Sequence, residues 1–319
     1  MKYNPGDFFS IIFRAALSVI LLSLLFNLVD KDAILSAILK ADKLYLIAAF
    51  LMLILNYGLC LLRWYILLKE FHLGVSFKKA FSAFCAGIFA SLFIPSFVGI
   101  DLARGTDLSI HTKKPRQVLA TILLDRLSGY AGIVILLTLV CLFTYRIIID
   151  KTILSFLVTA YILLGLMIFV IFNKSVYLKL TGYLRNHKAG KMRESVSNIY
   201  EDIHMFRGKA LLLTKILALS VLSQLILPLV FYLAALSLGL KISIVYFFIF
   251  VPLIGAIALI PLTLSGLGLR DVSTIFFFGK IGIPGAMAFS VSLLNFSFVV
   301  AAGILGGLLY VATVSYRRV

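Results

Sequence analysis

Seven stretches of this chain stay apolar for about twenty residues or more, long enough to cross a bilayer as helices. They run from Ser10 to Val29, Leu44 to Leu62 (continuing to Leu68), Val118 to Phe143, Ile153 to Phe172, Leu211 to Leu240, Ile242 to Leu262 and Ala286 to Val314. A water-soluble domain has no core large enough to hide them. Of 319 residues, 62% are hydrophobic and 13% charged, with a mean hydropathy of +1.10. Soluble domains have roughly 45–50% apolar and 25% charged residues. The fold class expected is all-α: a polytopic integral membrane helical bundle with about 7–8 spans.

The first run has the basic start and apolar middle of a signal peptide. The residues after it, "LFNLVDKD", offer no small-residue cleavage site, so it is read as a retained first span. Cys60, Cys85 and Cys141 lie far apart inside apolar segments and suggest packing, not metal or redox chemistry. Lys and Arg number 30 against 13 acids, a net charge of +17. Basic residues gather in the cytoplasmic connections of membrane proteins and are drawn to anionic headgroups, which explains the excess without nucleic acid.

The longest polar stretch, 173–209, holds eight Lys or Arg against three acids and is expected to be cytoplasmic. It separates an N-terminal membrane half (1–172) from a C-terminal half (210–319). Val196, Ile199, Ile203 and Phe206 recur at helical spacing within it. Either an amphipathic helix on the inner leaflet or a solvated linker helix fits that pattern. Counting spans outward places "DKDAILSAILKADK" in an outside loop and the basic stretches around Lys69 and Lys113 inside. Both termini are then cytoplasmic, with Lys2 at one end and Arg317 and Arg318 at the other.

Residues 80–105 have basic flanks on both sides and only about twenty apolar residues between, broken by Pro95 and Gly99. A segment that enters and leaves on one face fits better than a full crossing. The second half repeats the arrangement over 242–281. There "IPLTLSGLGLRD" sets Pro261, Gly266, Gly268, Arg270 and Asp271 beside the earlier Pro95, Gly99, Asp101 and Arg104. Paired Gly/Pro interruptions in two halves point to a transporter-type site, although turn residues can also coincide by chance. Backbone freed by a break is tolerated at membrane depth only inside protein or along a wet cavity. The helix that starts after a break presents unpaired N–H groups, and a nearby arginine makes that end suited to an anion such as phosphate.

Charges also fall in or near the spans. Arg14 reads as an interface anchor. Arg63 has two readings, an anchor beside Trp64 and Tyr65 or a site residue. Asp125 and Arg126 lie about two turns into their run, where a charge costs about 2.5–3.5 kcal/mol by insertion scales. They imply a polar cavity or, alternatively, a pair that locks helices. Asp101 is a candidate to orient Arg104 or Arg126. The histidines, His72, His111, His187 and His204, all sit in polar connections. No phosphate loop, nucleophile elbow or His-Glu zinc pattern is present, so neither a cofactor nor a metal is expected.

"RW" at 63–64, P-x3-G-x-D-x2-R at 95–104, "DR" at 125–126, and P-x4-G-x-G-x-R-D at 261–271 followed by a Gly-Ile-Pro turn occur in order along nearly the whole chain. Together they resemble the membrane domain of lysylphosphatidylglycerol synthases, a flippase-like family that also occurs as stand-alone proteins. Two positions depart from the family pattern: Ile100, where members commonly have a second glycine, and Asp271, where they have glutamate. The resemblance implies a multi-pass protein of a prokaryotic cell membrane that moves an aminoacylated phospholipid between leaflets. The aminoacyl-transferring domain of the bifunctional members has no counterpart in the sequence, so the chain is not expected to make that lipid itself.

The leading expectation is a lipid translocase, a transporter and not an enzyme. Arg63, Arg104, Arg126 and Arg270, balanced by Asp101, Asp125 and Asp271, would receive an anionic or aminoacylated headgroup. Pro95, Gly99, Pro261, Gly266 and Gly268 would break the helices around it. Two other readings stay open: a membrane anchor for a separate soluble synthase, and an enzyme acting on lipid-linked sugars. Expected partners are the phospholipid or lipid-linked substrate, the membrane, and a synthase or a second copy of the chain.

Overall fold

The computed structural model describes residues 30–93, 98–144, 209–258 and 267–315, with a few helical residues at 20 and 23 and between 154 and 165. The runs 10–29 and 153–172 therefore fall almost wholly outside the described residues. So do the linker positions Val196 to Phe206, and Pro95, Pro261 and Gly266.

Every described element is a helix. They are α1 (Lys31–Leu39), α2 (Lys43–Glu70), α3 (Phe77–Ala90), α4 (Val98–Thr112), α5 (Pro115–Thr144), α6 (Ala210–Ser237), α7 (Ile244–Ala258), α8 (Leu269–Gly279) and α9 (Gly285–Ser315). Among the described residues, α2, α5, α6 and α9 are long and apolar enough to cross a membrane, and α7 is a shorter apolar helix. The chain is thus a polytopic helical membrane protein. Lipid supplies no hydrogen-bond partners, so a spanning segment must satisfy its own backbone, and a helix does so.

The starts and stops are local. The Asp30 carboxylate accepts the N–H groups of Asp32 and Ala33 at 3.0 and 3.1 Å, and Ser76 accepts that of Lys79 at 3.3 Å, both N-cap contacts. Pro115 takes the first position of α5, where no N–H is needed. The α8 helix ends in a turn in which Gly282, at φ +80°, lets the Ile283 N–H return to the Phe278 carbonyl at 3.2 Å, a Schellman closure.

The segment 31–40 corrects an expectation. It forms helix α1 where a mixed-charge loop was expected. Asp30 caps it, and Ile34 and Ile38, one turn apart, pack against Phe289, Ile275, Ala286 and Leu293. Burial of that short apolar stripe decides against the loop.

Contacts divide the chain into two compact units that interleave along the sequence: residues 1–57, 82–104 and 225–319 form one, and 58–81 and 105–224 the other. In the first, α3 runs antiparallel to the end of α9, with Ser82 bonded to Thr313 at 3.0 Å. A Cβ added to Gly306 would meet the Cys85 carbonyl oxygen at 3.1 Å, and one on Gly303 would meet Leu92 at 2.6 Å. Small residues let two helix backbones approach this closely. In the second unit, Trp64 is fully buried and donates to Thr121 at 3.2 Å, tying α2 to α5.

Candidate functional site

Residues 80–105 form two short helices, α3 and α4, of 14 and 15 residues. At 1.5 Å per residue each is about 21 to 23 Å long, short of a hydrocarbon core of about 30 Å. Their contacts step in opposite directions. Lys79 meets Asp107, Arg104 lies over the Phe84 ring, and Gly87 backs onto Ile100, so the helices run antiparallel as a hairpin. The second segment, expected over 242–281, is likewise two helices, α7 and α8. Phe247 touches Phe278 with ring centroids 5.0 Å apart, and Phe250 stacks on Phe277 at 5.5 Å. The start of α7 therefore lies against the end of α8, again antiparallel.

Each hairpin carries an arginine beside a carboxylate. On α4, the Arg104 Nε and Nη2 donate to one Asp101 oxygen at 3.0 and 2.7 Å. The three-residue spacing puts both side chains on one helix face, and the guanidinium carbon stands 5.8 Å from the centroid of Phe84. Arg104 is only 3% exposed. Gly99 is the second residue of α4 and is buried. Of the two arginines suggested for Asp101, the structure joins it to Arg104.

On α8 the arrangement begins with the backbone. Gly268 has φ +83°, a left-handed conformation that a side chain would disfavour. It sets the helix start so that the Asp271 carboxylate turns back to accept the Gly268 N–H at 2.8 Å. Glycine has no side chain to reciprocate, so this is the reverse half of a capping box. Asp271 is fully buried. Its other oxygen accepts from Arg270 Nη2 at 2.8 Å and Nε at 3.3 Å, and from the Ser292 hydroxyl of α9. Arg270 also donates to Ser292 at 3.1 Å and lies 5.3 Å from the Phe296 ring centroid. Its side chain is 14% exposed, and its Nη1 makes no hydrogen bond among the described residues. The guanidinium is thus held by Asp271, Ser292 and the Phe296 ring, with Nη1 left over among the described residues.

The remaining sequence candidates belong to the other unit. Arg63 is 6% exposed and is not an interfacial anchor. Its Nε donates to Asp125 at 2.7 Å and its Nη1 to Ser220 at 3.1 Å, joining α2, α5 and α6. Gly129, one turn beyond Asp125, leaves room for the guanidinium: a Cβ there would stand 3.5 Å from Nη1. Asp125 thus pairs with Arg63. Arg126 is half-buried. Cys85 is buried, and Cys60 is part-buried with its thiol 3.5 Å from the Ser223 hydroxyl.

Sequence reading missed Ser292, Ser220 and the pair Lys79–Asp107, whose ammonium meets both carboxylate oxygens at 2.7 and 2.6 Å. Serines inside an apolar helix give no signal of direction. The lysine and aspartate did give one, because both are charges placed against their own helix dipoles. Lys79 sits in the first turn of α3 and Asp107 in the C-terminal half of α4, each the less favourable end for its sign.

The arrangement is that of buried arginines matched to carboxylates; a guanidinium's directed N–H groups are the kind of donor that suits an oxyanion. Among the described residues no three His, Cys, Asp or Glu stand together as a metal site. The family described as the lysylphosphatidylglycerol synthase TM region matches this chain over residues 11–307. A UPF0104 membrane protein of Methanocaldococcus jannaschii is 24% identical over 286 residues, which cover 84% of each chain. No solved structure matches.

Proposed function

Because the chain belongs to the family of the lysylphosphatidylglycerol synthase TM region, we propose that it is a lipid translocase. In this reading it passes an anionic or aminoacylated phospholipid headgroup between leaflets while the acyl chains stay in the bilayer. The observation that carries it is Arg270, held by the buried Asp271 and Ser292 at the start of a helix, with Nη1 unoccupied among the described residues. A headgroup crossing unaided would leave water for hydrocarbon without hydrogen bonds, at a cost of several kcal/mol for each polar group. A fixed guanidinium and the helix start replace part of that hydration.

The two hairpins, each too short to span, are re-entrant in this reading and belong to two repeated halves. Arg104 and Arg270 lie in one compact unit and bind phosphate. Asp101 and Asp271 orient them and keep the site near neutrality. Arg63 and Asp125 fasten α2, α5 and α6, while Arg126 remains a headgroup contact to be tested in the same assay. The protein resides in a prokaryotic cell membrane with both termini cytoplasmic and acts without chemistry of its own.

The test is leaflet exchange of labelled phosphatidylglycerol, an aminoacylated phosphatidylglycerol and phosphatidylcholine in proteoliposomes. Unmodified protein is expected to accelerate exchange of at least one of them, and Arg270→Gln and Arg104→Gln to return it to the protein-free rate. Full exchange by Arg270→Gln would overturn the site. No exchange of any lipid by correctly inserted protein would overturn the function and favour a membrane anchor for a separate synthase.

A further inference from the structure

One end of the unit formed by 58–81 and 105–224 is strongly basic. The end of α2 meets the start of α6 through the Lys209–Glu70 ion pair, and it meets the start of α3 through the Tyr65 and Phe77 rings, 5.2 Å apart. The start of α3 in turn meets the end of α4 through Lys79 and Asp107. Exposed Lys69, Lys78, Lys113, Lys114, Arg116 and Lys215 all belong to these helix ends and the turns between them. Within this end lies a cleft of about 440 Å³ lined by Glu70, Lys209, Ala210, Leu211, Leu212 and Lys215.

The lining combines two chemistries. Lys209 is matched by Glu70, whereas Lys215 is exposed and has no partner among the described residues, so the described lining carries one more positive than negative charge. Beside it Leu211 is 72% exposed, an apolar surface at the end of the spanning helices α2 and α6. A soluble anion would use the charge and leave the leucine unexplained; a phospholipid uses both.

We infer that this cleft holds the phosphate-bearing headgroup of an anionic phospholipid drawn from the adjacent leaflet, as a resident lipid. Lys215, and Lys209 in part, meet the phosphate, Leu211 meets the acyl chain, and Glu70 limits the affinity. Residence requires no transport, so the site stands whether or not the chain moves lipid.

The full chain, delipidated in detergent, is titrated with phosphatidylglycerol or phosphatidylcholine, and bound lipid is counted by native mass spectrometry. Phosphatidylglycerol is expected to bind the more tightly. Lys215→Gln, at an exposed position where folding does not depend on the ammonium, should weaken phosphatidylglycerol about fivefold, the effect of one lysine near an anionic headgroup. Glu70→Gln, which releases Lys209 and removes a negative charge, should strengthen it by about the same factor. Lys113→Gln with Lys114→Gln changes the basic end but not the cleft and should leave binding within about twofold. Equal weakening by that control pair would overturn the cleft in favour of diffuse charge. Equal binding of both lipids, or displacement of phosphatidylglycerol by soluble glycerol phosphate at the same concentration, would overturn the lipid assignment. Capture of an acidic peptide in preference to phosphatidylglycerol vesicles would do the same.

Discussion

The two hairpins share a sequence pattern and are held together by different forces. In α3–α4 the arms are joined by Lys79 and Asp107 at the base, and Arg104 of one arm lies on Phe84 of the other. In α7–α8 they are joined by rings: Phe250 contacts both Phe277 and Phe278, and Phe247 contacts Phe278 and Tyr232. The arginines differ as well. Arg104 sits two turns into its helix with a partner three residues back, whereas Arg270 sits in the first turn, and its partner Asp271 is itself held by the backbone of Gly268. The repeat of proline, glycine, arginine and aspartate therefore reproduces the chemical groups but not the packing. In the second hairpin the buried charge lies at the start of α8, Lys280 at its far end is exposed over the Phe276 ring, and the contacts between the arms are aromatic.

The largest effect expected is at Asp271. Replacement by alanine leaves Arg270 and Ser292 without their acceptor and should lower stability in detergent by about 3–5 kcal/mol, the cost of breaking a buried pair. A loss under about 1 kcal/mol in chemical unfolding would mean that the start of α8 is not the rigid point of this hairpin. Next comes the base of the first hairpin. Lys79→Met alone or Asp107→Leu alone should each cost about 2–3 kcal/mol, because Asp107 is partly exposed, while the double substitution should recover most of the loss. Additive losses would show that the two charges do not act as a pair. Smallest is Gly268→Ala, expected to cost about 1–2 kcal/mol through its left-handed backbone. A neutral result would remove the distinction between a backbone-set carboxylate and a side-chain-set one.

How much of this was readable in sequence depends on what hydropathy measures. Helices α2, α5, α6 and α9 were evident because length and apolarity suffice to define a span; the interruptions expected at Pro95 and Pro261 lie outside the described residues. The pairing of Asp101 with Arg104 was readable as one option because helical spacing fixes which residues face each other. Arg63 and Asp125 were both noticed but not joined. They are 62 residues apart, and an apolar helix carries no sequence mark of the side it turns to its neighbour. Helix α1 was missed for the opposite reason: at nine residues its stripe is too short to outweigh its flanking charges until Phe289 is there to cover it.

The Arg63–Asp125 pair also constrains how the protein is made. Each helix, inserted alone, would carry an uncompensated charge into the bilayer at about 2.5–3.5 kcal/mol. Helices α2 and α5 must therefore find each other during insertion, while the segment between them, α3 and α4, is already emerging. The first hairpin is synthesised between the two helices that this pair joins, whereas α7 and α8 follow α6, a span that carries Pro228. The order of synthesis thus treats the two hairpins unequally before any lipid has been met.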